Sequence, residues 1–177
     1  TLVDHYGSLA GLAGANFVFV GDCNNNIAHS LALIAPLVGM NFTAVSPVGY
    51  ELNPAFASAA AASAASAGTR FSQSNDPHGA VADASVIYTD TWVSMGNEAD
   101  AASRLSSFGP EFCVDAAMLA ATPADVVVMH DLPAYRGKEI AADVLTGPRS
   151  LVYAQAHNRL HAQKGVLVWL MDAEKPN

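Results

Sequence analysis

Apolar residues in this chain come as short unbroken runs set between helical stretches. Asn16-Phe17-Val18-Phe19-Val20, Asn41-Phe42-Thr43-Ala44-Val45, Ala84-Ser85-Val86-Ile87-Tyr88 and Asp125-Val126-Val127-Val128-Met129 read as buried strands. None alternates with polar residues as a half-exposed strand does, so both faces of their sheet are covered. Thr69-Arg70-Phe71-Ser72 predicts a short edge strand. Between these runs the spacing turns helical, over 27–38 with Gly39 as stop, and over 55–67 with Gly68 as stop. Asn53 caps the second of these helices and Pro54 takes its first position. The body of that helix is nearly all Ala and Ser, good helix formers that allow close packing on a sheet. Shorter helices are predicted from Asp76-Pro77 to Ala82, over 98–108 and over 114–121, and a long C-terminal helix over 154–171.

Strands alternating with helices predict an α/β fold with a mostly parallel sheet of about five strands. The right-handed crossover rule makes a doubly wound, Rossmann-like three-layer sandwich the simplest topology. No internal boundary or repeat shows, so residues 1–177 are read as a single domain. The last helix departs from this pattern. Val166-Leu167-Val168-Trp169-Leu170-Met171 is apolar on every side, which one sheet face does not cover. Another domain or another chain is expected against it, and a homo-oligomer formed through this helix is one outcome.

Composition narrows the function classes. The net charge of −8 argues against nucleic acid or an anionic membrane as partner. Apolar stretches are broken well short of the ~20 residues a membrane span needs. Thr1-Leu2-Val3-Asp4-His5 has neither a basic n-region nor a signal-like core, and no Met. Cys23 and Cys113 lie far apart in sequence, as fits reduced thiols and a cytoplasmic protein. His157 and His161 stand at i, i+4 on the last helix without a third ligand, and no metal is expected.

The chemistry-bearing residues follow the strands. In open α/β sheets, ligands bind beyond the C-terminal strand ends. After the first strand comes Gly21-Asp22-Cys23-Asn24-Asn25-Asn26. A GxGxxG fingerprint is absent, so no dinucleotide cofactor is expected. Asparagines here serve either as helix caps or as donors and acceptors toward a zwitterionic ligand. After the central strand comes Asp90-Thr91-Trp92-Val93-Ser94-Met95-Gly96. Asp90 suits a ligand ammonium, Ser94 a hydrogen bond, and Gly96 a sharp turn or close backbone approach; a cap and turn before the next helix is the structural alternative. After the last strand comes His130-Asp131-Leu132-Pro133. Leu132 before proline is expected to be extended and to offer backbone carbonyls. On the C-terminal helix, Arg159 suits a carboxylate or a polarised carbonyl.

Taken together these stretches resemble the C-terminal, ornithine-binding half of ornithine carbamoyltransferases. His5-Tyr6-Gly7-Ser8-Leu9, Gly21-Asp22 with Asn25-Asn26, the run from Asp90 to Gly96, and Asn158-Arg159-Leu160-His161-Ala162-Gln163 are similar to that family's motifs. The resemblance covers essentially the whole chain. It implies a cofactor-free enzyme of arginine biosynthesis, in which the ornithine side-chain amine attacks carbamoyl phosphate and yields citrulline and phosphate. It implies that Asn26, Asp90, Ser94 and Met95 hold the α-amino and α-carboxylate end of ornithine. His130, Asp131, Leu132 and Arg159 would serve the reacting end, with the Leu132 carbonyl on the carbamoyl amide and Arg159 on the carbamoyl oxygen. The chain departs from the family in two ways. Asp131 stands where the family has Cys, which makes it either a proton acceptor or a disabling change. The Ser-Thr-Arg-Thr-Arg loop and the His-Pro-containing motif of the family's carbamoyl phosphate half do not occur here. The expectation is a detached ornithine-binding domain, with the carbamoyl phosphate domain absent and no turnover alone. The rival is a non-catalytic module that dimerises through its last helix. A transferase acting on an acylated ornithine or a diamine is disfavoured by Ser94-Met95-Gly96.

Overall fold

The computed structural model describes residues 1–93, 96 and 98–172. Its strands are β1 (Asn16–Val20), β2 (Asn41–Val45), β3 (Phe71–Ser74), β4 (Val86–Thr89) and β5 (Val127–His130), joined in one sheet of order β3-β2-β1-β4-β5. Every pairing is parallel. The chain runs outward from β1 through β2 to β3, then returns across β1 to β4 and β5. That reversal between β1 and β4 is the doubly wound topology expected from the sequence.

Strand residues alternate between two apolar layers. Val18, Val20, Ile87 and Val128 point into one, with Phe112, Met118 and Leu145. Phe17, Phe19, Val86, Tyr88, Val127 and Met129 point into the other, with Ala28, Ala32 and Ala60. Helices α2 (Asn26–Leu37) and α3 (Pro54–Ala67) cover this second face. The small side chains of α3 let Ala60 and Ala64 sit fully buried. Aromatic rings step across the same face, with centroids 5.7 Å apart for Phe17–Phe42, 6.4 Å for Phe42–Phe71 and 5.9 Å for Phe17–Tyr88. Helices α4 (Pro77–Ala80), α5 (Ala101–Ser107), α6 (Ala116–Ala120) and α7 (Ala142–Leu145) follow on the side of the first layer.

Several boundaries differ from the expectation. The edge strand begins at Phe71 because Arg70 is spent on the sheet margin, its N–H on the Asn41 side chain and its guanidinium on Asn16. The helix predicted over 98–108 opens as a 3₁₀ turn, Glu98–Asp100, before α5. Two short helices had no sequence counterpart, α1 (Leu2–Tyr6) and α7. Helix α8 (Val152–Met171) starts two residues early and buries only Val152. Its C-terminal stretch is exposed, from Val166 at 57% to Met171 at 80%. Among the described residues, no helix is long and apolar enough to cross a membrane.

Candidate functional site

The C-terminal ends of β1, β4 and β5 meet at the reversal of strand order, and three loops leave from there. The register that pairs Thr89 with His130 sets the next residues, Asp90 and Asp131, side by side. Their carboxylates and the His130 ring offer oxygens and a nitrogen that all lie within 4.8 Å of one another. Asp90 is buried, and its carboxylate accepts from the Thr91 N–H at 2.6 Å and from Asn25 Nδ2 at 3.1 Å. Asn25 is the N-cap of α2, where its Oδ1 also accepts from the Ala28 N–H at 2.8 Å. One asparagine thus joins the helix start to Asp90. Burial, then the neighbouring Asp131, pushes the Asp90 carboxyl up to about 6. Asp131 is also raised, chiefly by burial.

Behind the pair lies a buried polar chain. The Leu132 N–H donates to His130 Nδ1 at 2.9 Å, so this nitrogen carries no proton. The other, Nε2, therefore carries it and faces Glu139 Oε1 at 3.3 Å. That oxygen also accepts from the Tyr135 N–H, while Glu139 Oε2 has no hydrogen-bond partner among the described residues. Gln155 of α8 accepts from the His130 N–H at 3.2 Å and donates to the Tyr88 hydroxyl at 2.9 Å. The approach of His130 Nδ1 to Asp131 at 3.7 Å is consequently a meeting of two acceptors rather than an ion pair. Nor is the cluster a ready metal site, because its nitrogen lone pair is already taken by Leu132. His157 and His161 touch each other at 3.2 Å on the exposed helix.

An open cleft of about 650 Å³ runs between this edge and α8, lined by Ile27, Asp131, Leu132, Gln155, Arg159 and His161 among others. Arg159 is exposed and makes no ion pair among the described residues. A second cation is fully engaged: Arg104 Nη1 stands 2.6 Å from Asp22 Oδ2 and 3.2 Å from the Trp92 carbonyl. The geometry thus gathers Asp90, His130, Asp131, Leu132 and Arg159 on one edge. Ser94 and Met95 lie outside the described residues. Asn26 is exposed at the first position of α2, and the hydrogen bond to Asp90 comes from its neighbour Asn25. Leu132 is not extended as the following proline suggested. Its φ is 62°, because its N–H turns back onto His130, and its bond to Pro133 is cis. Gly96 does occupy the turn expected of it, at φ 93°. Sequence reasoning missed Asn25 as the contact residue, the Asp22–Arg104 bridge and Glu139. Only Asn25 carried a signal, as a capping residue ahead of an apolar helix.

A family model described as "Aspartate/ornithine carbamoyltransferase, Asp/Orn binding domain" matches residues 13–170. The chain belongs to this family. Within it, the relatives matched at 43–47% identity are named ornithine carbamoyltransferases. The chain is 47% identical over 171 residues to the ornithine carbamoyltransferase of Rhodococcus jostii (strain RHA1), covering 97% of this chain and 53% of that protein. Against the ornithine carbamoyltransferase structure from Pyrococcus furiosus the TM-score is 0.89 at 41% identity, over 98% of this chain and 54% of the other. Against that from Gloeobacter violaceus it is 0.85 at 38% identity, over 96% and 55%. The chain therefore spans about half the length of the relatives it matches, and the half it spans is the Asp/Orn-binding domain.

Proposed function

We propose that this chain binds ornithine, as the amino-acid-binding half of an ornithine carbamoyltransferase. In the whole reaction the ornithine side-chain amine attacks the carbonyl carbon of carbamoyl phosphate, giving citrulline and phosphate in arginine biosynthesis. The observation that carries the reading is the pairing of Asp90 with Asp131 beside a cleft that also presents Arg159. A carboxylate pair suits an ammonium group, and an unengaged guanidinium suits a carboxylate or a polarised carbonyl oxygen. Asp90, Asn26, Ser94 and Met95 hold the amino-acid end. The Leu132 carbonyl and Arg159 orient the carbamoyl group, and His130 buttresses the turn that presents Leu132. Catalysis of this kind is positioning plus oxyanion stabilisation and requires no cofactor. The 177 residues contain no Ser-Thr-Arg-Thr-Arg segment, so carbamoyl phosphate binds only with a further domain and the chain does not turn over alone. Two free cysteines fit a cytoplasmic setting.

The expected result is ornithine binding by calorimetry with about millimolar affinity and no citrulline from ornithine plus carbamoyl phosphate. Asp90→Asn should weaken binding at least about tenfold, the loss of one charge-assisted contact. Unchanged ornithine affinity in that variant, or citrulline formation by the chain alone, would count against the reading.

A second reading, an assembly module, is favoured by one observation. Leu167 and Leu170, about one turn apart on α8, are 57% and 63% exposed. Such a surface buries itself against a second copy. Light scattering should then give twice the chain mass, and Leu167→Glu with Leu170→Glu should return it to the monomer. A monomer at every concentration sinks this second reading and leaves the first intact.

A further inference from the structure

Asp131 enters the proposed function only as the partner of Asp90, without a role of its own. It stands at the edge of the cleft, its side chain 30% exposed, with the buried Asp90 in register beside it. Two carboxylates this close need a cation or a proton between them. Among the described residues no Lys or Arg forms an ion pair with either acid, and Arg104 is bound to Asp22. His130 turns a lone pair, not a proton, toward Asp131. Thr91 and Asn25 donate to Asp90, while Asp131 receives its own backbone N–H and the Tyr88 hydroxyl. Tyr88 accepts from Gln155 and keeps its own phenolic proton toward the Asp131 side.

We propose that Asp131 is a specificity residue of the ornithine site, which in the free chain shares a single proton with Asp90 and which, with Asp90, exchanges that proton for a ligand ammonium. The proposal rests on the ornithine-binding reading above. The upward displacement of both carboxyls agrees with it. On binding, the shared O–H is the only bond that breaks. Its proton passes to the buffer, the ligand ammonium keeps its own protons, and two carboxylates then surround one positive charge. An acylated amine brings no charge to exchange, so it meets a pair still protonated and gains little. The pair therefore selects free ammonium ligands over acylated ones, and does so more strongly as pH rises.

Other titratable and charged groups face the same space. They are Tyr88 from β4, His130 from β5 with Glu139 behind it, Arg159 and His161 from α8, and Asp4 from α1. The test therefore compares variants that change only the pair. Asp131→Asn is nearly isosteric at a partly exposed position, and Asp131→Cys places the family residue there. Calorimetry of ornithine binding in buffers of different ionisation enthalpy counts the protons released. At about pH 5.5 the parent chain should release about one proton per ornithine, falling toward none near pH 8. Both variants should release less than about a third of a proton at the lower pH. Independently, carbon-detected NMR of the free chain should show an aspartate carboxyl titrating about two pH units above the ordinary range, and Asp131→Asn should abolish that step. Ornithine binding without proton release overturns the proposal and leaves the ornithine reading standing. If ornithine binds neither the parent nor the variants, that reading falls. The free-chain titration then decides the pair by itself: a high step lost in Asp131→Asn upholds it, and a carboxyl titrating in the ordinary range overturns it.

Discussion

Arg104→Ala should cost about 3–5 kcal/mol of unfolding free energy, the range seen when one partner of a buried ion pair is removed. Asp22 is 2% exposed and Arg104 19%, with 2.6 Å between Nη1 and Oδ2. Truncation leaves a buried carboxylate whose remaining hydrogen bond among the described residues is from the Asn24 N–H at 2.9 Å. It also removes the donor to the Trp92 carbonyl and the guanidinium lying 5.4 Å over the Tyr50 ring. The bridge joins the loop after β1 to the segment after β4, so loss of the arginine should loosen both walls of the site together. Urea unfolding measures the effect, and Asp22→Asn added to Arg104→Ala should recover at least about 1 kcal/mol by removing the orphaned charge. A cost under about 1 kcal/mol would mean that Asp22 finds water in the folded state and the bridge contributes as a surface pair does.

A comparable loss is expected for His130→Ala. His130 and Glu139 are each fully buried and face one another at 3.3 Å. Among the described residues Glu139 Oε2 lacks a partner, and removing the imidazole leaves Oε1 with the Tyr135 N–H alone. The estimated cost is about 3–5 kcal/mol, from an under-satisfied buried carboxylate and the cavity left by the ring. A double-mutant cycle with Glu139→Gln should show a coupling of at least about 1 kcal/mol, the double variant being less destabilised than the sum of the singles. Additive losses would show that the pair is not coupled and that His130 matters for packing alone.

The fold was readable because its strands declare themselves. Phe17 to Val20 and Val86 to Tyr88 fill both faces of the sheet with apolar side chains, and such runs leave no choice of surface. Asn53-Pro54 and Gly68 bracket α3 by chemistry that acts over single residues. Helices α1 and α7 were invisible for the opposite reason, since four or five residues complete too few turns for a period to show. Within the site, Asp90 and Asp131 were legible as polar residues directly following strands. Which of the three asparagines caps α2 was not legible, because identical side chains in a row do not reveal it; the cap is Asn25. Glu139 and the Asp22–Arg104 bridge were not legible at all. The bridge joins residues 82 apart, and nothing local to Glu139 announces that it will turn inward to meet an imidazole nine positions earlier. Leu132 took the left-handed region against its local preference because a hydrogen bond to His130 outweighed it.

The parallel register of β4 with β5 has a consequence for how the site responds to a ligand. Backbone hydrogen bonds from Val86–Val127 to Thr89–His130 set the stations of Asp90 and Asp131 before either loop begins. Their separation is thus gauged by the sheet and not by the segments that follow. The span between the two acids is the one the strands measure, as a caliper's opening is held by its beam.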